Sequence, residues 1–343
     1  MATRLTDAAN RSPWTLELTK EHWALTEPFA ISDRVFSSAE VIVATVCDGE
    51  HTGRGEATGV YYLEDAFRML RQLHQAQHRI EERIDREELK RVMPAGGARN
   101  AVDCALWDLE AKQAGSPVWQ LIGMEPPRSV ATVVSIGVGT PEKMALRAAA
   151  EPARSAKALK LKLSGDLRSD IERVAAVRRA RPDVLITTDA NQGYRAGDLE
   201  ALVASLADHS VALLEQPLPR EIDDQLEGFA SPLPLFADES VQTSADIERL
   251  VGRFQGINIK LDKCGGLTEA LCMVREARRF GFKVMVGNTL GTSLAMAPAF
   301  LVAQFADFAD LDGPLLLESD RSPAATYEDG SIWIGDPVWG AAA

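Results

Sequence analysis

The chain has 343 residues, 46% of them hydrophobic and 25% charged, with a formal net charge of −13. That length accommodates one barrel of roughly 200–250 residues plus a second domain of about 100, and an acidic balance with no dense Lys/Arg block excludes a nucleic-acid footprint or attraction to an anionic membrane. No run of about 18 apolar residues offers a membrane helix, no apolar segment follows Met1-Ala2-Thr3-Arg4-Leu5, and Cys47, Cys104, Cys264 and Cys272 show neither CxxC spacing nor a disulfide framework, so a cytoplasmic protein with reduced thiols is expected.

Residues 14 to 60 read as strands. Val41 to Val46 is β-branched and apolar, Asp48-Gly49-Glu50 supplies turn chemistry, and Thr52 to Ala57 returns as the second arm of a hairpin. From Thr19 to Phe36, a stretch holding His22, Trp23, Pro28, Phe29 and Arg34, there is no clean period, which predicts a loop. Ala66, Met69, Leu70 and Leu73 fall at helical spacing, as do Val102, Ala105, Leu106 and Leu109 within Asn100 to Lys112, with a charged helical segment around Glu81 to Arg91 and Gly96-Gly97 between them. An α+β domain over residues 1–125 is expected.

Beyond Glu125-Pro126-Pro127 strand and helix alternate. Helices are predicted at Leu167 to Ala180, Gly197 to Ala207, Ala245 to Gly252, Thr268 to Phe280 and Ser293 to Phe305, with strands at Ala131 to Ile136, Val284 to Val286 and Phe308 to Asp312. Between these, Leu159-Lys160-Leu161-Lys162 alternates at period two, and apolar runs end in Asp189, Glu215, Asp238 and Lys260. Counted from Lys162, those charges are spaced 27, 26, 23 and 22 residues apart, the size of one βα unit. A (β/α)7β TIM-like barrel over 126–316 follows, with the strand-end charges gathered at one mouth and a segment 317–343 packing back on the first domain.

Three carboxylates converging there repel one another unless a cation shares the site, and all-oxygen ligation suits Mg²⁺. The alternative is a structural network with the lysines. Lys162 and Lys260, on opposite sides of the barrel, suit removal of a proton from one face of a carbon and its return to the other. Lys160 and Lys162, side by side, are expected to lower each other's proton affinity, and a nearby Mg²⁺ to lower it further.

Lys160-Leu161-Lys162, Asp189-Ala190-Asn191, Glu215-Gln216-Pro217, Ala237-Asp238-Glu239-Ser240 and Asn258-Ile259-Lys260, together with Ala101-Val102-Asp103-Cys104-Ala105-Leu106-Trp107-Asp108, resemble the muconate lactonizing enzyme subgroup of the enolase superfamily, a superfamily known for Lys or His bases working with Mg²⁺. The resemblance implies Asp189, Glu215 and Asp238 as Mg²⁺ ligands, Lys162 and Lys260 as the acid/base pair, and Lys160, Asn191 and Glu239 as supporting neighbours. Racemases of the mandelate type use a histidine on the seventh strand, and none of the five histidines lies there.

Asp310-Leu311-Asp312 resembles the dipeptide epimerases of the subgroup and would receive a substrate α-ammonium; its alternative is a turn before Gly313-Pro314. The covering loop places Arg34 to pair with a substrate carboxylate, as for L-Ala-D/L-Glu, or leaves it a solvated surface charge. The expectation is a Mg²⁺-dependent dipeptide epimerase working by 1,1-proton transfer at the α-carbon of the C-terminal residue, and a homo-oligomer. The rivals are a cycloisomerase, o-succinylbenzoate synthase or N-acyl amino acid racemase of the same subgroup, and a non-catalytic barrel used for binding.

Overall fold

The computed structural model describes residues 13–342; the expectation drawn at Met1–Leu5 lies outside them. Strands β1 (Thr15–Ala30), β2 (Val35–Cys47) and β3 (Thr52–Thr58) form an antiparallel sheet in that order. The β2–β3 turn closes as its residues dictate: Asp48 Oδ1 accepts from the backbone N–H of Glu50 at 2.9 Å and of His51 at 2.7 Å. The stretch Thr19 to Phe36 corrects the expected loop, for most of it is strand. Thr19–Ala24 pairs with Ser38–Val43, and pairing resumes at Phe29 and Phe36 after a register shift. No alternation marked this strand because, of residues 19–30, Leu25 alone is buried.

Helices α1 (Ala66–Glu81), α2 (Arg86–Val92) and α3 (Gly97–Ala114) follow. Met69 and Leu73 of α1 and Val102, Ala105, Leu106 and Leu109 of α3 are buried in one core with Ile42, Ala44 and Val46 of the sheet. Close approach of α3 requires glycine on β3, since a Cβ on Gly53 or Gly55 would lie 2.1 Å from the carbonyl oxygen of Ala105 or Ala101. The opposite face of α3 meets the barrel, so the helix is buried almost all round.

The barrel strands, in order, are Val133–Ile136, Ala158–Lys162, Leu185–Asp189, Val211–Glu215, Leu235–Ala237, Gly256–Lys260, Lys283–Gly287 and Phe308–Asp310, each paired in parallel with the next. Side chains close the seam between eighth and first: Thr132 Oγ1 accepts from Leu311 N at 2.9 Å, and Asp312 Oδ2 accepts from Ser135 N at 2.6 Å. Leu159 and Leu161 point outward into the core that holds Val174 and Val177 of the helix Leu167–Ala180, which leaves Lys160 and Lys162 inside. The helix expected at Ala245 to Gly252 is instead two 3₁₀ turns, Ser244–Asp246 and Glu248–Leu250. Asp246 reaches back to the backbone N–H of Gln242 and Thr243, a capping box that tightens the first turn.

A plug of Leu213, Phe236, Met285 and Phe308 fills the barrel below the mouth. Gly256 makes room for it, since a Cβ there would lie 2.4 Å from the Phe236 ring. One period-two step up the same strands leads from Leu213 to Glu215, from Phe236 to Asp238 and from Phe308 to Asp310. The apolar floor and the charged mouth are thus successive layers of one pattern. After the barrel, Leu317 bridges Leu25 of β1, a hairpin of Thr326–Glu328 and Ser331–Trp333 pairs with Val130–Ala131, and Trp339 Nε1 donates to Arg54 O at 2.8 Å. Among the described residues no helix is long and apolar enough to cross a membrane.

Candidate active site

Asp189, Glu215 and Asp238 come together at the mouth, each offering a carboxylate oxygen within 4.8 Å of the others, all three buried. Two of the turns that follow these strands carry left-handed residues: Asn191 at φ +41°, Gln192 at +66° and Gln216 at +36°. Such backbone persists only where its surroundings hold it. Gln216 is held by its own amide: Oε1 accepts from Asp238 N (2.9 Å) and Ser240 N (3.1 Å), and Nε2 donates to Leu218 O and Ser240 Oγ, both at 2.8 Å. Glu215 and Asp238 are thereby locked in one relative position.

Every carboxylate of the trio meets an amine. Lys160 Nζ lies 2.7 Å from Asp310, 2.8 Å from Glu215 and 3.3 Å from Asp189. Lys162 Nζ lies 2.6 Å from Asp189, and Lys260 Nζ 2.7 Å from Asp238. Lys263, which sequence reasoning passed over, donates to Asp238 Oδ1 and to Asn258 O from the short helix Leu261–Cys264. Asn258 Nδ2 donates to Glu215 Oε1 at 2.8 Å, and its period-two relation to Lys260 was the available signal.

Burial opposes charge on the trio, on Lys160 and on Lys260, and whether neighbours overcome it differs from group to group. Against burial, Lys162 and Lys160 hold Asp189 down at about 2, and Lys260 and Lys263 hold Asp238 far below the carboxylate range. Burial and then Asp189 push Glu215 up to about 7. Burial and then Asp238 push Glu239 to about 8. Although burial opposes it, Asp310, Glu215 and Asp189 raise Lys160, and Asp238 raises Lys260, above the ordinary lysine range, which for Lys160 is opposite to the effect expected from Lys162 beside it. Carboxylates outnumber the like charges on which the expectation rested. The trio fits a hard divalent cation, being three buried oxygen donors gathered within 4.8 Å of one another, with burial and Asp189 holding Glu215 at about 7, so that added positive charge would favour its ionised form.

Above the trio a cavity of about 380 Å³ opens. Lys162, Lys260, Asn191, Asp310 and Asp312 line its barrel side, and Phe29, Ile31, Arg34 and Phe36 of the β1–β2 hairpin line its cover. Asp310 is already paired with Lys160, and Asp312, pushed to about 7 by burial and then by Asp310, accepts from Ser135 N. Asp312 also begins the 3₁₀ turn Gly313–Leu316, so the turn and the charged site coexist. Arg34 is exposed at the rim, its guanidinium 4.8 Å above the Tyr61 ring. Glu239 lies behind the trio, accepting from Asn191 Nδ2 at 3.4 Å and Tyr61 OH at 3.5 Å.

A closed parallel barrel with acids on its third strand, its fourth and just past its fifth, lysines ending its second and sixth, and an α+β cap at its mouth defines an enolase-type barrel. Residues 14–123 match the N-terminal domain model of mandelate racemase / muconate lactonizing enzyme, and residues 143–337 match the enolase C-terminal domain-like model. The chain belongs to this family. It is 42% identical to the L-Ala-D/L-Glu epimerase of Escherichia coli over 93% of this chain and 99% of that one. It is also 42% identical to an N-acetyl-D-glutamate racemase of a Pseudoalteromonas species, over 76% and 81%. A solved enolase family member from Agrobacterium tumefaciens, with homology to dipeptide epimerases and with bound sodium and L-Ala-L-Glu, superposes with a TM-score of 0.92 at 42% identity, covering 96% of this chain and 100% of that one. Dipeptide epimerases at 26–27% identity are solved with Mg and a dipeptide.

Proposed function

We propose that this protein is a Mg²⁺-dependent dipeptide epimerase that inverts the α-carbon of a C-terminal glutamate, with L-Ala-D/L-Glu as substrate. The observation that carries it is the pair Lys162 and Lys260: they end barrel strands two and six of eight, hence opposite sides, and line one cavity beside the carboxylate trio. In this reading Asp189, Glu215 and Asp238 hold the metal. Magnesium, when bound, offsets their charge and stabilises the negative charge that develops on the substrate carboxylate. A cation held by Asp238 would weaken the attraction that raises Lys260 above the ordinary lysine range.

One lysine, neutral, takes the α-proton from its face; the C–H electron pair passes into the adjacent carboxylate. The opposite ammonium then delivers a proton to the other face, so the lysines exchange protonation states and no atom is gained or lost. Lys160 keeps Asp310, Glu215 and Asp189 in place, while Asn191 and Glu239 support the turn after Asp189. Asp310 and Asp312 receive the dipeptide ammonium, and Arg34 the side-chain carboxylate. The free cysteines suit a reducing cytoplasm, and a homo-oligomer is part of the same reading.

A second reading, an N-acyl glutamate racemase, draws on the equal identity to the Pseudoalteromonas enzyme. The buried carboxylates of Asp310 and Asp312 favour an ammonium over an acyl group. Incubation with L-Ala-L-Glu and with N-acetyl-L-Glu in D₂O with Mg²⁺ separates the two. Deuterium at the glutamate α-carbon of the dipeptide, with at most slow labelling of the acetyl compound, is expected; exclusive labelling of the acetyl compound would overturn the proposal.

A further inference from the structure

The cover of the cavity is the far half of the β1–β2 hairpin, and little of the capping core reaches it. Between Ala24 and Phe29 the hairpin register shifts, residues 25–28 of β1 standing against Ser37 alone of β2. There the chain just beyond the barrel steps in. Glu318 N donates to Ala24 O at 2.9 Å, Thr26 Oγ1 donates to Leu317 O at 3.2 Å, and Leu317 pairs with Leu25. Three residues on, the Arg321 guanidinium bridges two domains. It donates to Glu21 Oε2 on β1 at 2.5 Å, to Glu56 Oε2 on β3 at 2.7 Å and, through Nε, to Thr292 Oγ1 at 2.8 Å.

Glu56 is fully buried and takes the Thr292 backbone N–H as well, at 2.8 Å, so its attachment to Arg321 and the barrel is rigid. Glu21 is the movable partner. Its carboxylate also accepts from Trp23 Nε1 at 3.1 Å, and Arg321 lies 5.2 Å from the Trp23 ring centroid. Upstream, the segment follows directly on Leu316, a cavity wall residue that ends the 3₁₀ turn starting beside Asp312.

We propose that residues 317–321 are a strap holding the hairpin over the cavity, and that Arg321, through Glu21, is the positioning residue that sets how tightly the hairpin wall grips a substrate. A planar guanidinium suits the task because it addresses two carboxylates in fixed directions, which an ammonium does not. Arg321 touches neither trio nor cavity, so the strap acts on binding and leaves proton transfer alone. Only the kinetic arm of the test rests on the dipeptide reading.

The test uses Glu21→Gln, which leaves the buried Glu56–Arg321 pair intact, and Arg321→Lys. Hydrogen–deuterium exchange without substrate reads the hairpin directly: exchange at residues 24–36 is expected to quicken by about tenfold, the scale of losing one charge-assisted hydrogen bond, with the barrel strand 185–189 unchanged. With L-Ala-L-Glu, KM is expected to rise by about the same factor and kcat to stay within about twofold. In the double variant the effects should fall short of additive. Unchanged exchange at 24–36 in Glu21→Gln overturns the strap, and so does a fall in kcat with KM unmoved. Absence of dipeptide turnover in the unmutated protein would instead defeat the proposed function, and the exchange arm then decides the strap.

Discussion

At the scale of single residues, Glu215 is the group whose proton reports on the site. Burial and the neighbouring Asp189 lift it to about 7, while a metal ligand must be ionised. Below pH 7, therefore, Mg²⁺ has to displace that proton, and its apparent affinity should rise about tenfold per pH unit up to about 7 and level off above. Calorimetry in buffers of different ionisation enthalpy measures the released proton directly. The sign for stability follows from the same shift. A carboxylate raised on folding contributes stability present below its unfolded value near 4.5 and lost as pH rises through about 7. Glu239 and Asp312 are raised in the same way, to about 8 and about 7. Metal-free protein should lose melting temperature between about pH 5 and 8, and added Mg²⁺ should restore most at the alkaline end. A melting temperature independent of pH and Mg²⁺ over that window would contradict the assignment of these groups to one buried cluster.

At the scale of elements, the barrel strands were legible because their apolar runs end in charge, and the mouth residues lie one period-two step above the floor. The helix Leu167–Ala180 was readable end to end, its Asp166 cap accepting from Ser169 N at 2.8 Å. What the sequence concealed were elements shaped by partners distant in the chain. β1 past Ala24 carries almost no buried side chain and is held instead by backbone pairing to β2 and to the strap. Lys263 carries no motif of its own, since its role depends on a short helix folding back onto Asp238. In the proposed reading the cover hairpin also sets selectivity. Arg34 stands at its rim over Tyr61, so Arg34→Ala should raise KM for L-Ala-L-Glu by about tenfold or more, the worth of one hydrogen bond to a charged group. KM for a dipeptide ending in an uncharged residue should move little. Equal losses for both substrates in steady-state assays would return Arg34 to a surface role.

At the scale of the whole molecule, the cap is bolted to the barrel through one face of α3. Asn100 Nδ2 donates to Asp262 at 2.9 Å, Arg99 donates to the carbonyls of Cys264 and Gly265, and Asp103 accepts from Thr268. Arg99 and Asn100, just before the Ala101–Asp108 block that resembled the family, thus anchor the turn following Lys260, and Asp103 within the block anchors the start of the next helix, Leu267–Arg279. Closure of eight strands does the rest, carrying Lys162 and Lys260, 98 positions apart in the chain, to opposite sides of one cavity. Proton removal from one face and return to the other requires that opposition. The most direct measurement incubates Lys162→Ala and Lys260→Ala separately with L-Ala-L-Glu and with L-Ala-D-Glu in D₂O and Mg²⁺, following epimer composition and deuterium at the glutamate α-carbon. Each variant is predicted to lose epimerisation by about 10²–10⁴-fold or more and to exchange the α-proton of one epimer alone, a different one in each variant. Undiminished epimerisation by either variant, or exchange of the same epimer by both, would contradict two lysines acting from opposite faces.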